Sequence, residues 1–208
     1  MTAPHSPRSC TFCPDDSDQA HETTTETARS AGERAGERGG ERGGERARAF
    51  WPEGGEGGGG AAGVPGFVHS DFAPVVVAVA ERCLRLAYGP AGVPAGVRTG
   101  IVLVSASGDL ASAQHVRATV ETGGRIGPLF FFQSVPNSVA GHLAARWDLR
   151  GPVVCLSPTG DPYTDGVAEA DLLRDDGDAD EVLLILIEQA PDGPTEAVAV
   201  LLGGGARP

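Results

Sequence analysis

Three side chains capable of nucleophilic attack lie within five residues of one another: Cys155, Ser157 and Thr159, in the run VVCLSPTGDP. Attack on a carbonyl carbon would leave an acyl group on sulfur or oxygen, and a hydroxyl needs a base such as histidine within hydrogen-bond reach to take its proton. All five histidines (His5, His21, His69, His115 and His142) precede Gly160, and the sequence ends at Pro208. Cys155 sits inside an apolar run, where cysteine behaves as a small buried hydrophobe with a raised pKa and little reactivity. Ser157 and Thr159 are therefore the candidate nucleophiles, and either one would need histidines supplied in trans.

The surrounding sequence predicts the elements that would hold such a group. Val153 to Leu156 is a short apolar run without polar alternation, as expected of a strand covered on both faces. Pro158, Gly160 and Pro162 break it, and Val167, Ala170 and Leu173 recur at helical spacing from near Tyr163 onward. A second apolar run, Val182 to Ile187, follows the acidic turn DDGDADE, so strand, turn, helix and strand form a unit that gives a parallel pair. A nucleophile on such a turn gains from the helix N-terminus, whose free N–H groups stabilise an anion.

Upstream, a helix begins at Asp71 to Pro74 and ends by Gly89, and strand IVLVS starts at Ile101. The SASGD turn after it lacks the lysine and spacing of a phosphate loop, and Asp109 is read as the cap of helix LASAQHVRATVE. Ser134 is placed to cap a helix from Val135 to Trp147 with Val135, Val139 and Leu143 as its apolar stripe. His115 and His142 read as structural. Phe130 to Phe132 suit core packing, an acyl-chain path or a dimer interface.

The run GPLFFFQSVPNSVAGHLAARWDLRGPVVCLS, from Gly127 to Ser157, resembles the approach to the nucleophile of β-ketoacyl synthases, and RTGIVLVSASGD fits the same pattern more loosely. The resemblance covers roughly residues 67 to 202. In that family the Gly-Pro pair leads through a buried strand to a cysteine on a strand-to-helix turn. Counting without a gap from Gly151-Pro152, the cysteine position holds Gly160, which has no side chain to acylate. The family also places two histidines and a lysine in its C-terminal half. Here that half is missing, no lysine occurs anywhere, and PTGDP departs from the family's T-A-C. The family's opening strand is not visible before Phe67.

The resemblance implies an α/β thiolase-like N-terminal half-fold: a mixed, mainly parallel sheet with flanking helices. Strands are expected near Ile101 to Ser105, Val153 to Ser157, Val182 to Ile187 and Ala197 to Leu202. It further implies a non-catalytic, ketosynthase-like accessory protein of bacterial polyketide or fatty-acid-like biosynthesis, with Gly160 as a degenerate nucleophile position. Such a protein would pair with a complete ketosynthase subunit, meet its acyl carrier protein or bind its acyl chain, or form a homodimer. The alternative is an acyltransferase or 3-oxoacyl synthase component using Ser157 or Thr159.

Residues 1–63 are expected to be a disordered tail, and residues 64–208 the ketosynthase-like domain. From Ser30 to Ala47 the sequence repeats AGERAGERGGERGGERA, and glycine at this density opposes helix and strand alike. A formal net charge of -12 at pH 7 opposes binding to nucleic acid. The pair Cys10 and Cys13 in SCTFC lacks the partners of a zinc site and the helical context of a redox pair, so no metal or cofactor is expected. No apolar run approaches the roughly 20 residues of a membrane span. Four cysteines without disulfide-rich spacing, and no apolar signal segment, point to the cytoplasm. All 16 basic residues are arginine, which with heavy alanine, glycine and valine use suggests a GC-rich bacterial genome.

Overall fold

A computed structural model describes residues 44–52, 60–191 and 193–203. Cys10, Cys13, His5, His21 and most of the expected tail lie outside these described residues. Along the chain run strand β1 (Glu45–Trp51), helix α1 (Phe72–Tyr88), β2 (Thr99–Val104), α2 (Leu110–Glu121), α3 (Pro128–Gln133), α4 (Pro136–Trp147), β3 (Val153–Leu156), α5 (Pro162–Asp175), β4 (Glu181–Glu188) and β5 (Glu196–Gly203). The strands make one mixed sheet in the order β1-β5-β4-β2-β3. β2 pairs in parallel with β3 and β4, while β5 pairs antiparallel with β4 and β1.

Alternation along the strands sorts the core into two layers. Ile101, Leu103, Leu183, Ile185 and Leu201 face α1 and α4, where Val76, Val79, Ala80, Leu84, Val139 and Leu143 meet them. Val102, Val104, Leu184, Leu186 and Val200 face the other way, toward Ala170 and Leu173 of α5. The run at β4 is apolar throughout because this strand is central and buried on both faces. Glu81 of α1 forms ion pairs with Arg85 on its own helix and with Arg146 of α4, joining the two helices of the first layer.

Four readings of the sequence change. β3 lies at the sheet edge, partly exposed, rather than covered on both faces. It and β4 run parallel, but β2 lies between them. Ser134 does not cap α4; Val135 holds that place, and the Ser134 hydroxyl donates to the Phe131 carbonyl at 3.0 Å. Phe130 to Phe132 belong to the short helix α3, which turns Phe130 inward and leaves Phe131 and Phe132 exposed.

The expected boundary at residue 64 also moves. β1 lies inside the stretch expected to be tail, and a strand therefore does precede Phe67. Its register sets Ala49 against Ala199 and Trp51 against Ala197, with Ala49 buried and Ala47 and Trp51 packed on the first layer. The alternation ERARAFW is strand-like, but two of its inward residues are alanines, which give little hydrophobic signal beside a glycine-rich repeat.

β1 also completes a buried polar cluster. Glu181, 2% exposed at the start of β4, pairs with Arg46 of β1, accepts from the Tyr88 hydroxyl at the end of α1, and accepts from Thr99 of β2 at 2.6 Å. Burial pushes its carboxyl above the ordinary carboxylate range, against the pull of Arg46. Between the ordinary and the raised value the folded chain holds a proton that the unfolded chain releases, so this group's contribution falls as pH rises through that window. Arg46→Ala should lower the unfolding free energy by about 1–3 kcal/mol in urea titrations, and an unchanged midpoint would disconnect β1 from the cluster. Glu181→Gln, compared with the parent chain across the same window, should flatten the loss of stability with rising pH. Two profiles that stay parallel would show that the Glu181 carboxyl is not raised in the folded chain.

Candidate functional site: the turn from β3 into α5

The turn from β3 into α5 is set by two close approaches. A Cβ on Gly151 would lie 2.5 Å from the Gly100 nitrogen, so only glycine lets the chain enter β3 this close to β2. A Cβ on Gly166 would lie 2.6 Å from Leu184 Cδ1 and 3.1 Å from Val104 Cγ2, so the missing side chain lets α5 rest directly on the sheet. Between them, residues 157–161 connect the end of the strand to the first turn of the helix.

α5 begins in the way its sequence dictates. Asp161 is the N-cap, its Oδ1 accepting from the Thr164 N–H at 2.8 Å and from the Thr164 hydroxyl at 2.6 Å. Pro162 follows in the first turn, where its missing N–H costs nothing. Asp165, one turn on, reaches back over the elbow. Its Oδ2 accepts from the backbone N–H of Thr159 at 2.7 Å, from that of Gly160 at 3.0 Å, and from the Thr159 hydroxyl at 3.3 Å. The two backbone N–H groups, together with that hydroxyl, hold the Asp165 carboxyl below its ordinary range.

The candidate nucleophiles sit in different surroundings. Gly160 is exposed on the turn, and a Cβ there would meet only Asp165 Oδ1, at 3.9 Å. Thr159 is also exposed, with both its N–H and its hydroxyl directed to Asp165. Asp165 is a poor base for that hydroxyl, since the hydrogen bonds that stabilise its charge also weaken its hold on a proton. Ser157 is exposed, and among the described residues no histidine hydrogen-bonds to Ser157 or Thr159. Cys155 is half-buried, with its thiol pushed up to about 11 by burial.

The described histidines are engaged elsewhere. His69 and His115 stack with ring centroids 4.0 Å apart beside Phe130, and His142 meets Phe67 edge-on at 6.1 Å. The residue that sequence reasoning misses is Asp165. Its signal is an acidic residue in the first turn of a helix whose N-cap is already aspartate, a placement that favours interaction with free N–H groups.

The family described as beta-ketoacyl synthase, N-terminal domain, matches residues 75–198, and the chain belongs to that family. Its fold is thiolase-like. Among solved structures it is similar to a chain from the complex of a ketosynthase with its chain length factor from Xenorhabdus doucetiae, at 24% identity and a TM-score of 0.56, covering 70% of this chain and 63% of that one. A chain of the ishigamide ketosynthase/chain length factor matches at 20% identity and a TM-score of 0.57, covering 70% and 47%. A beta-ketoacyl synthase from Burkholderia phymatum matches at 16% identity and a TM-score of 0.52, covering 64% and 42%. The chain thus spans between two-fifths and two-thirds of the length of these structures. No curated protein matches it.

Because the Asp165 carboxyl is held low, its hydrogen bonds stabilise the fold at pH values above the ordinary carboxylate range and stop doing so as pH falls through the lowered value. Asp165→Ala should therefore lower the melting temperature at pH 7, and the gap to the parent chain should narrow toward zero in acid. A gap that persists when all carboxylates are protonated would assign the loss to something other than this charge.

Proposed function

We propose that the chain is a non-catalytic, ketosynthase-like accessory protein of polyketide or fatty-acid-like biosynthesis, which pairs with a complete ketosynthase. The observation that carries this reading is the turn itself. β3, the turn and α5 make a strand-to-helix elbow of the kind that presents a nucleophile, the family resemblance puts the cysteine position at Gly160, and the amides of Thr159 and Gly160 donate to Asp165.

A partner is supported by what the surface leaves uncovered. Leu129, Phe131 and Phe132 of α3 are 76%, 65% and 64% exposed, and Val153 at the start of edge strand β3 is 37% exposed. Large apolar groups on a soluble surface favour burial against another molecule, and an edge strand offers unpaired backbone groups to a second chain. Two of the similar structures are described as ketosynthases with chain length factors. Transferred to this chain, that arrangement gives it the role of a subunit paired with a ketosynthase. Among the described residues no helix is long and apolar enough to cross a membrane.

Two measurements test the proposal. Incubated with acyl-CoA or acylated carrier protein, the purified chain should show no mass increase of one acyl group in intact-mass spectrometry. A stoichiometric adduct on Ser157 or Thr159, formed with release of the carrier thiol, would replace this reading with the acyltransferase one. Co-expressed with a complete ketosynthase, the chain should elute with it as a complex whose mass by light scattering is the sum of the subunits. A monomer that ignores both the synthase and its carrier protein would remove the accessory role.

A further inference from the structure

The bonds around Gly160 say more than that a nucleophile is missing. At a strand-to-helix turn, free backbone N–H groups at the helix N-terminus form a ready anion site, which lowers the pKa of a thiol and steadies developing negative charge. In this chain the amides of Thr159 and Gly160 both donate to Asp165 Oδ2, the Thr164 amide donates to Asp161 Oδ1, and Pro162 has no N–H to offer. Two carboxylates, Asp161 and Asp165, therefore flank the position from the same helix. The space at Gly160 is otherwise open, and the one atom within 4 Å of a Cβ placed there is Asp165 Oδ1, at 3.9 Å.

We propose that Asp165 is a built-in anion that closes this turn to any anion formed on a substrate, so that the chain is inert for a second reason, independent of the missing nucleophile. The proposal rests on the reading of Gly160 as the former nucleophile position. It differs from that reading in what it predicts. Restoring the cysteine does not restore an activated thiolate, because a carboxylate already holds the amides and repels a second negative charge. Reactivation needs both residues changed.

Gly160→Cys is the direct probe, since the added side chain meets no steric obstacle. The rate of alkylation by iodoacetamide, followed by peptide mass at position 160 so that Cys10, Cys13, Cys83 and Cys155 do not interfere, gives the titration curve of the new thiol. Low ionic strength keeps the charge interaction unscreened. The thiol should titrate at or above the ordinary value of about 8.5. Adding Asp165→Asn, which keeps the shape and removes the charge, should lower that midpoint by about one unit and speed alkylation at pH 7 roughly three- to tenfold. Adding Asp165→Glu instead should leave it high.

Equal midpoints for Gly160→Cys with and without Asp165→Asn would overturn the proposal. If the double variant does not fold by circular dichroism, Gly160→Cys alone still decides: a midpoint clearly below the ordinary thiol value would overturn it, because the turn would then be activating despite Asp165. Acylation of the parent chain would instead remove the non-catalytic reading, and leave the thiol titration unaffected.

Discussion

The geometry of the turn depends on how closely α5 lies on the sheet. Gly166 sits against Leu184 and Val104, at distances where an added side chain would require either those side chains or the helix to shift. The residue before it, Asp165, is thereby carried to within reach of Thr159 and Gly160. A helix displaced outward would separate that carboxylate from the amides and uncap the turn. The same contact seats Ala170 and Leu173 on β2 and β4 and closes the second core layer. One small residue thus couples the packing of this face to the electrostatics of the turn.

The two edges of the sheet are treated differently. β1 carries Glu45, Arg46 and Arg48, and its charges are spent on internal partners: Arg48 on Glu45 and Tyr163, Arg46 on Glu181 and Tyr88. Charged side chains on an edge discourage pairing with another chain. β3 is short and apolar, with Val153 uncovered, and has no such charges. Under the proposed pairing, this asymmetry favours β3 over β1 as the edge open to a second chain.

The parts of the fold legible in the sequence are those where hydrophobic periodicity is strong. β2 and β4 lie where unbroken apolar runs required buried strands, β5 lies where the family resemblance placed one, and Asp109 caps α2 by accepting from the Ser112 N–H at 3.0 Å. β3 has the same composition as a buried strand, and nothing local distinguishes an edge strand that leaves apolar groups uncovered from one covered on both faces. β1 is hidden because alanines at its inward positions bury little area, and its identity comes from pairing with β5, some 150 residues later. At the turn, the breakers Pro158, Gly160 and Pro162 mark in sequence where β3 gives way to α5. The part played by Asp165 is not marked in this way, since its role depends on the chain folding back by one helical turn, and Thr159 and Gly160 supply backbone atoms that no side-chain pattern reveals.

At the turn, the chain's own carboxylate, Asp165, holds the amides of Thr159 and Gly160. Nuclear magnetic resonance titration of the unmodified protein tests this most directly, following the Asp165 side chain together with the amide protons of Thr159 and Gly160. Asp165 should titrate below the ordinary carboxylate range, and both amide resonances should move with the same midpoint as their hydrogen bonds weaken on protonation. An Asp165 that titrates in the ordinary range, with Thr159 and Gly160 amides indifferent to it, would contradict the account.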